Sequence, residues 1–433
     1  MSKAIISKVT EVMPIEGADN IQAARVCGEA VVVSKSVQVG DIGIFFPVDC
    51  QVSEDYARVN NLYRHSHLNA DNTKTGFFED NRRVKAVTLR KVKSCGYFAP
   101  LDSLSYISHT CDEASREKYV AVGTTFDSIE GVQICCKYIS QATRDAINKQ
   151  NKPKMAKACL MPYFEKHVDS AQFKHSVQMI PKGALIHFHA KVHGTSHRSG
   201  LTKVIAQLPK WKQFVNKIVP VFPTEKWDYV VGTRNVVLTP GKEGFHGSEQ
   251  FRFDVAEMLK PFMVKGMTIY GEIAGYANGK PIMAVHQSAA TKDKAFQKKY
   301  GKDIVYKYGC SKAAYRFHIY RITQLNTDNV NVDFSEAQLE QWVADRGLLG
   351  PVNVRPPMIY DGDPKVLMEI VDIWTENSGS GEDYIDPSHP GEGVILRIDT
   401  GNMNPYFLKS KAHNFRVMEG MCEAVDAEDV EAA

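Results

Sequence analysis

Ala184-Leu-Ile-His-Phe-His-Ala-Lys-Val-His-Gly-Thr-Ser-His-Arg-Ser-Gly200 is the most informative stretch of the chain. With period two, Ile186, Phe188, Ala190 and Val192 point to one face, and His187, His189, Lys191 and His193 to the other. A strand running through Lys191 is therefore expected, with the lysine on the floor of a site opposite an apolar face. Partial desolvation and neighbouring imidazoles would disfavour the ammonium form and expose a nucleophilic amine. Gly194 would end the strand and let backbone approach a phosphate closely. Two other readings stand beside this one: an exposed edge-strand lysine, or a metal-binding pair made by His187 and His189.

Further candidates lie downstream. Tyr270-Gly-Glu-Ile-Ala-Gly ends a strand beginning at Met267 and puts Glu272 on the face of Tyr270 and Thr268. A carboxylate there can accept a ribose hydroxyl or hold a metal. Tyr315-Arg-Phe-His-Ile-Tyr-Arg-Ile is an aromatic strand that offers Phe317 to stack on a purine, although core packing explains most such strands. Gly391-Glu-Gly-Val-Ile-Leu-Arg sets Glu392 at the mouth of an apolar strand. In Phe407-Leu-Lys-Ser-Lys, Lys409 and Lys411 share one face, and two ammonium groups so close repel unless an anion lies between them.

The remainder bounds the fold. At 433 residues the chain is too long for one core. Residues 1–140 contain short strand-like runs, Ala30–Ser34, Ile42–Pro47, Arg83–Arg90 and Gly131–Tyr138, separated by turn signals. Without a long amphipathic helix, they suggest a small Greek-key barrel, of which the OB-fold is the common nucleic-acid version. Residues 141–174 form an expected linker or bridging helix, 175–422 a mixed α and β domain, and 423–433 an acidic, frayed tail. Amphipathic segments occur at Leu208–Val219 and Ser335–Arg346. Nine cysteines without a CxxC pair argue against a disulfide framework and a zinc site. A net charge of +3 is too mild to demonstrate a nucleic-acid partner. The runs Lys149, Lys152, Lys154, Lys157 and Lys203, Lys210, Lys212, Lys217 are expected to be solvated helix faces. No apolar run is long enough to span a bilayer and no signal sequence is evident, so a cytoplasmic monomer is expected.

The order of the motifs is more specific than any one of them. Lysine-x-x-Gly, aromatic-Gly-Glu, an aromatic strand, Glu-Gly-Val-aliphatic and Lys-x-Lys resemble the nucleotidyl motifs of the covalent nucleotidyltransferase superfamily. Within it, Lys191-Val-His-Gly-Thr-Ser is similar to the ATP-dependent RNA ligases, where histidine, here His193, often replaces an aspartate. Only 22 residues follow Lys411, too few for the OB domain that DNA ligases and capping enzymes carry there. The expected barrel comes first instead, as in the RNA ligase branch with an N-terminal OB module, and the resemblance covers essentially the whole chain. It implies an α+β fold: an OB-like barrel, then an adenylyltransferase domain built on antiparallel sheets.

The resemblance also implies roles. Lys191 would attack the ATP α-phosphorus, with His193 and Gly194 beside the nucleotide. Arg234 would contact the ribose and later the RNA end, Glu272 the ribose, and Phe317 the adenine. Glu392, with Glu272, would serve a Mg²⁺ or Mn²⁺ ion, while Lys409 and Lys411 grip the α-phosphate. The implied reaction joins RNA 3′-hydroxyl and 5′-phosphate ends, a repair reaction passing through lysyl-AMP and an adenylylated 5′ end. Arg198 and the barrel's Arg83, Lys85, Arg90, Lys91 and Lys93 are the expected RNA contacts, with Tyr97 and Phe98 available for stacking. Ala190 and His318 depart from the usual glutamate and aspartate of the family pattern. The competing expectations are a DNA ligase, a capping-type guanylyltransferase, or a catalytically silent nucleic-acid-binding relative.

Overall fold

The computed structural model describes residues 3–48, 50–90, 92–107, 121–138, 161–206, 208–244, 246–402 and 404–420, without the side chains of residues 88, 93 and 210. The expected helix over 141–160 with its four lysines, the acidic tail, Lys91 and the Lys93 side chain lie outside that description.

The first body is a barrel-like sheet. β1 (Ala4–Pro14), β2 (Ile21–Val26), β3 (Glu29–Ser34), β4 (Ile42–Phe46) and β5 (Tyr97–Pro100) run in the order β3-β2-β1-β4-β5. β1 carries an irregularity between Val9 and Glu11, so its first half pairs with β4 and its second with β2. Such a bulge bends a strand, which lets one strand serve two sides of a closing sheet. Alternation then fills both faces: Ile6, Ile44 and Phe46 enter one core, while Ile5, Val9 and Phe45 enter another. A short helix α1 (Glu54–Val59), capped by the Ser53 hydroxyl, plugs the first core with Tyr56.

The second body has two sheets. In the five-stranded one, β6 (Ala171–Gln172), β7 (Leu185–Ala190), β13 (Asn353–Ile359), β14 (Gly393–Asp399) and β15 (Tyr406–Lys411) run in the order β6-β15-β14-β7-β13. All its pairs are antiparallel except β6 with β15. In the other, β8 (Thr195–Ile205), β9 (Glu225–Gly232), β10 (Met267–Ala277), β11 (Tyr315–Leu325) and β12 (Asn331–Asp333) run β9-β8-β10-β11-β12, all antiparallel. Helix α2 (Lys210–Ile218) stands on the connection from β8 to β9. Helices α3 (Gln250–Leu259) and α4 (Glu336–Ala344) cover the outer face of this second sheet. α4 begins with a Ser335/Gln338 capping box. Helix α5 (Pro364–Thr375) buries Leu367 and Val371 against Ile186, Phe188 and Leu396 of the other sheet.

Residues 161–174 are not the spacer expected from their polar neighbours. Phe164 packs against Val204 and Val230, and Phe173 is fully buried beside Ile186. The barrel docks through α6 (His413–Met418): Val417 meets Ala86 and Cys95, and Arg416 lies 3.7 Å from Glu29. Among the described residues, no helix is long and apolar enough to cross a membrane.

Candidate active site

β7 stops at Ala190, three residues short of the His193 to which its alternation extends, because the chain must leave one sheet there and enter the other at Thr195. Lys191 sits in this crossover. Its N–H donates to the Gly393 carbonyl at 2.9 Å, and the His193 N–H donates to the Tyr308 hydroxyl at 2.7 Å. Gly194 serves close packing: a Cβ there would lie 2.4 Å from the Ile273 carbonyl oxygen, so the crossover presses on β10, not on an open phosphate cradle. Gly393 has φ 130°, and a Cβ would lie 2.1 Å from the Ser410 carbonyl. Both approaches hold Lys191 against Glu392.

The charges converge on one carboxylate. Lys191 Nζ is 2.7 Å from Glu392 Oε1, and Lys411 Nζ is 3.6 Å from the same oxygen and 2.5 Å from Glu419. His193 Nδ1 faces Glu392 Oε2 at 3.4 Å. Burial pushes the Glu392 pKa up, but Lys191, His193 and Lys411 outweigh it and hold the carboxyl well below its usual range. The lysine shows the converse: burial disfavours its charge, yet Glu392, with Glu272 and Glu419, raises its pKa. The expectation of a lysine depressed by imidazoles is thus corrected, since its nearest partners are acids. Lys409 is the depressed lysine: burial, then Lys191, Lys411 and Arg234, lower it to about 8. Burial raises Glu272 to about 7, with Lys191 only partly opposing.

A cavity of about 150 Å³ opens beside Lys191 between the two sheets. Ser196, Glu272 and His318 form one cross-strand row over β8, β10 and β11. Tyr270, Tyr320, Arg321 and His167 extend that wall, and Ala190, Val352 and Ile395 line the opposite side. Arg234 reaches the rim, tied to Asp169 at 2.6 Å.

Phe317 is not in this wall. It packs over Gly271 in the core beneath the sheet, with its ring 5.2 Å from that of His197. The odd residues Phe317 and Ile319 face the outer helices, while His318 and Tyr320 line the cavity. Both His318 ring nitrogens are buried without a partner, and burial lowers its pKa to about 4. The signal for His318 was its register opposite Glu272; aromatics on both faces of β11 concealed the parity.

Other expected contacts are spent within the protein. His187 and His189 pair with carboxylates, Asp399 at 3.5 Å and Glu336 at 2.8 Å, so they are not a free metal-binding pair. Arg198 is buried, donates to the Phe164 and Glu165 carbonyls and stacks on Phe164, so RNA cannot reach it. Arg83 stacks on Tyr138 and donates to the Gly420 carbonyl, Lys85 pairs with Glu79, and Arg90 donates to the Gly17 carbonyl. Phe98 is core, and Tyr97 packs on Phe46 and Phe78.

Among the described residues no group of three or more His, Cys, Asp or Glu could hold a metal by itself. Glu392 Oε2, however, has only the long His193 approach, which leaves acceptor capacity in the pocket. That fits a hard cation held by one or two carboxylates together with water and phosphate oxygens.

A family model described as an OB-fold domain matches residues 3–101. No curated protein matches the chain. Among solved structures, Naegleria gruberi RNA ligase with PPi aligns at TM-score 0.57 and 16% identity, covering 96% of this chain and 98% of that one. A lysine-to-methionine variant of that ligase with AMP and Mn aligns at TM-score 0.53 and 16% identity, covering 95% and 97%. A lysine-to-alanine variant with ATP and Mn gives 0.54 and 14%, covering 96% and 97%. The chain therefore has an N-terminal OB-fold domain and, over nearly its whole length, shares its fold with Naegleria gruberi RNA ligase.

Proposed function

We propose that this protein is an ATP-dependent RNA ligase that joins 3′-hydroxyl and 5′-phosphate ends through a lysyl-AMP intermediate. The observation that carries the reading is Lys191 held 2.7 Å from Glu392 at the mouth of a cavity that also gathers Glu272, Arg234 and, close by, Lys409.

In the first step the Lys191 nitrogen bonds to the ATP α-phosphorus as the bond to pyrophosphate breaks. The lysine starts as an ammonium paired with Glu392, so its proton must leave to solvent, as bound nucleotide breaks that pair, before the nitrogen can attack. Lys409 and Lys411 stabilise negative charge developing on the α-phosphate. Glu272 accepts a ribose hydroxyl, and His318 and Tyr320 wall the base in place of Phe317. Arg234 can exchange Asp169 for the ribose or the RNA end. A Mg²⁺ or Mn²⁺ ion, with Glu392 and Glu272 as the carboxylates nearest to it, would neutralise phosphate charge. AMP then passes to the RNA 5′-phosphate, and the 3′-hydroxyl displaces it.

Incubation with α-labelled ATP and a divalent metal should label the wild type and leave Lys191→Ala unlabelled. Sealing of matched RNA and DNA ends, with ATP against GTP, separates the reading from a DNA ligase or a guanylyltransferase. Equal label on Lys191→Ala rejects the nucleophile, and a wild type that never labels is the silent relative.

A further inference from the structure

Helix α2 carries apolar residues at Trp211, Phe214, Val215 and Ile218, the spacing of one helical face. Such a face ordinarily packs inward, but here Trp211, Phe214 and Ile218 are 60%, 65% and 70% exposed. A contiguous apolar face left in water marks a surface that meets something. Its setting is cationic: no acidic residue occurs between Lys203 and Glu225, a span that also contains Lys210, Lys212 and Lys217. Lys212 Nζ lies 5.3 Å from the Trp211 ring centroid and 4.8 Å from that of Phe222. Exposed rings with ammonium groups set on and beside them are the chemistry that holds single-stranded nucleic acid, base on ring and phosphate on lysine.

The placement agrees. α2 rises where Ile205 pairs with Glu225, and the same strand pair ends at Arg198 and Gly232, two residues before Arg234 at the cavity rim. Seven strand residues at about 3.3 Å each put the helix roughly 23 Å from that rim along the sheet. We propose that α2 is a docking platform for a single-stranded stretch of the RNA being joined, a few nucleotides from the reacting end. This rests on the ligase reading and adds a site to it.

The test uses the full chain and a fluorescent single-stranded RNA with a 5′-phosphate. Trp211→Ala/Phe214→Ala should weaken binding by tenfold or more, since each base stacked on an aromatic ring contributes about a factor of ten. Lys212→Gln/Lys217→Gln should flatten the dependence of log affinity on log salt by about 1.4, the single-strand value for two phosphates. Both variants should self-adenylylate like the wild type, because α2 lies outside the ATP cavity. If the wild type does not adenylylate, the ligase reading falls; if it does and both variants bind RNA normally, only the α2 platform falls. Concentration-dependent self-association, or binding to anionic vesicles, that is lost in the aromatic variant while RNA affinity persists would also overturn the platform, in favour of a second copy or a membrane.

Discussion

Lys409 shows how a residue's chemistry is decided by neighbours that sequence does not bring together. Its pKa of about 8 reflects burial and three other cations. On the proposed ligase reading, Lys409 would meet phosphate as an ammonium below about pH 8, and above that ATP binding would have to draw a proton back onto it. Affinity for a non-hydrolysable α,β-substituted ATP analogue should therefore fall as pH rises past 8, by up to about tenfold per unit. Lys409→Arg, whose guanidinium stays charged, should hold its affinity level from pH 7 to 9.5, as calorimetry can measure. An unchanged decline in the arginine variant would place the titrating group elsewhere. Lys191, Glu392, Lys409 and Lys411 could be picked out as candidates because each stands in a short local pattern, and the fold does gather them. Their charge states could not, since Glu392 meets Lys191 only after β7 and β14, far apart in the chain, have paired.

At the scale of elements, β11 and α2 mark where periodic reading stops being sufficient. Period two correctly makes β11 a strand, but aromatic residues on both faces leave its inward parity open. The resulting prediction separates the faces. Phe317→Leu should cost roughly 1–2 kcal/mol of stability in denaturant melts while ATP affinity stays near wild type. His318→Ala should do the reverse. ATP affinity lost with Phe317→Leu at unchanged stability would return the base-stacking role to Phe317. For α2, the 3.6-residue stripe was readable in Leu208–Val219, whereas its exposure was not. A sequence stripe records which residues agree with one another, and only the fold tells what covers them. Likewise, the polarity of residues around 141–174 suggested a spacer, but Phe164 and Phe173 are anchored by strands far along the chain.

For the whole molecule, the barrel meets the second body through α6, which begins two residues after Lys411 and is followed by Glu419, a partner of that lysine. On the proposed ligase reading, barrel docking is therefore coupled to the end of the site where Lys411 would meet phosphate. Glu29→Arg should lower end-sealing several-fold, and Arg416→Glu added to it should recover part of the loss, as a double-mutant cycle reports. No recovery would make the Arg416–Glu29 pair incidental to docking. The crossover at Lys191–Gly194 carries a different implication. It is the link between the two sheets, so a nucleotide joined to Lys191 would be wedged between them by a covalent bond. Ordinary ligands stabilise a fold in proportion to the logarithm of their concentration, and dialysis removes the effect. A covalent wedge survives dialysis. A purified preparation should thus be a mixture of loaded and unloaded molecules that melt at two temperatures, the upper one indifferent to free ATP. Pyrophosphate with metal, by reversing the first step, should merge them into the lower one.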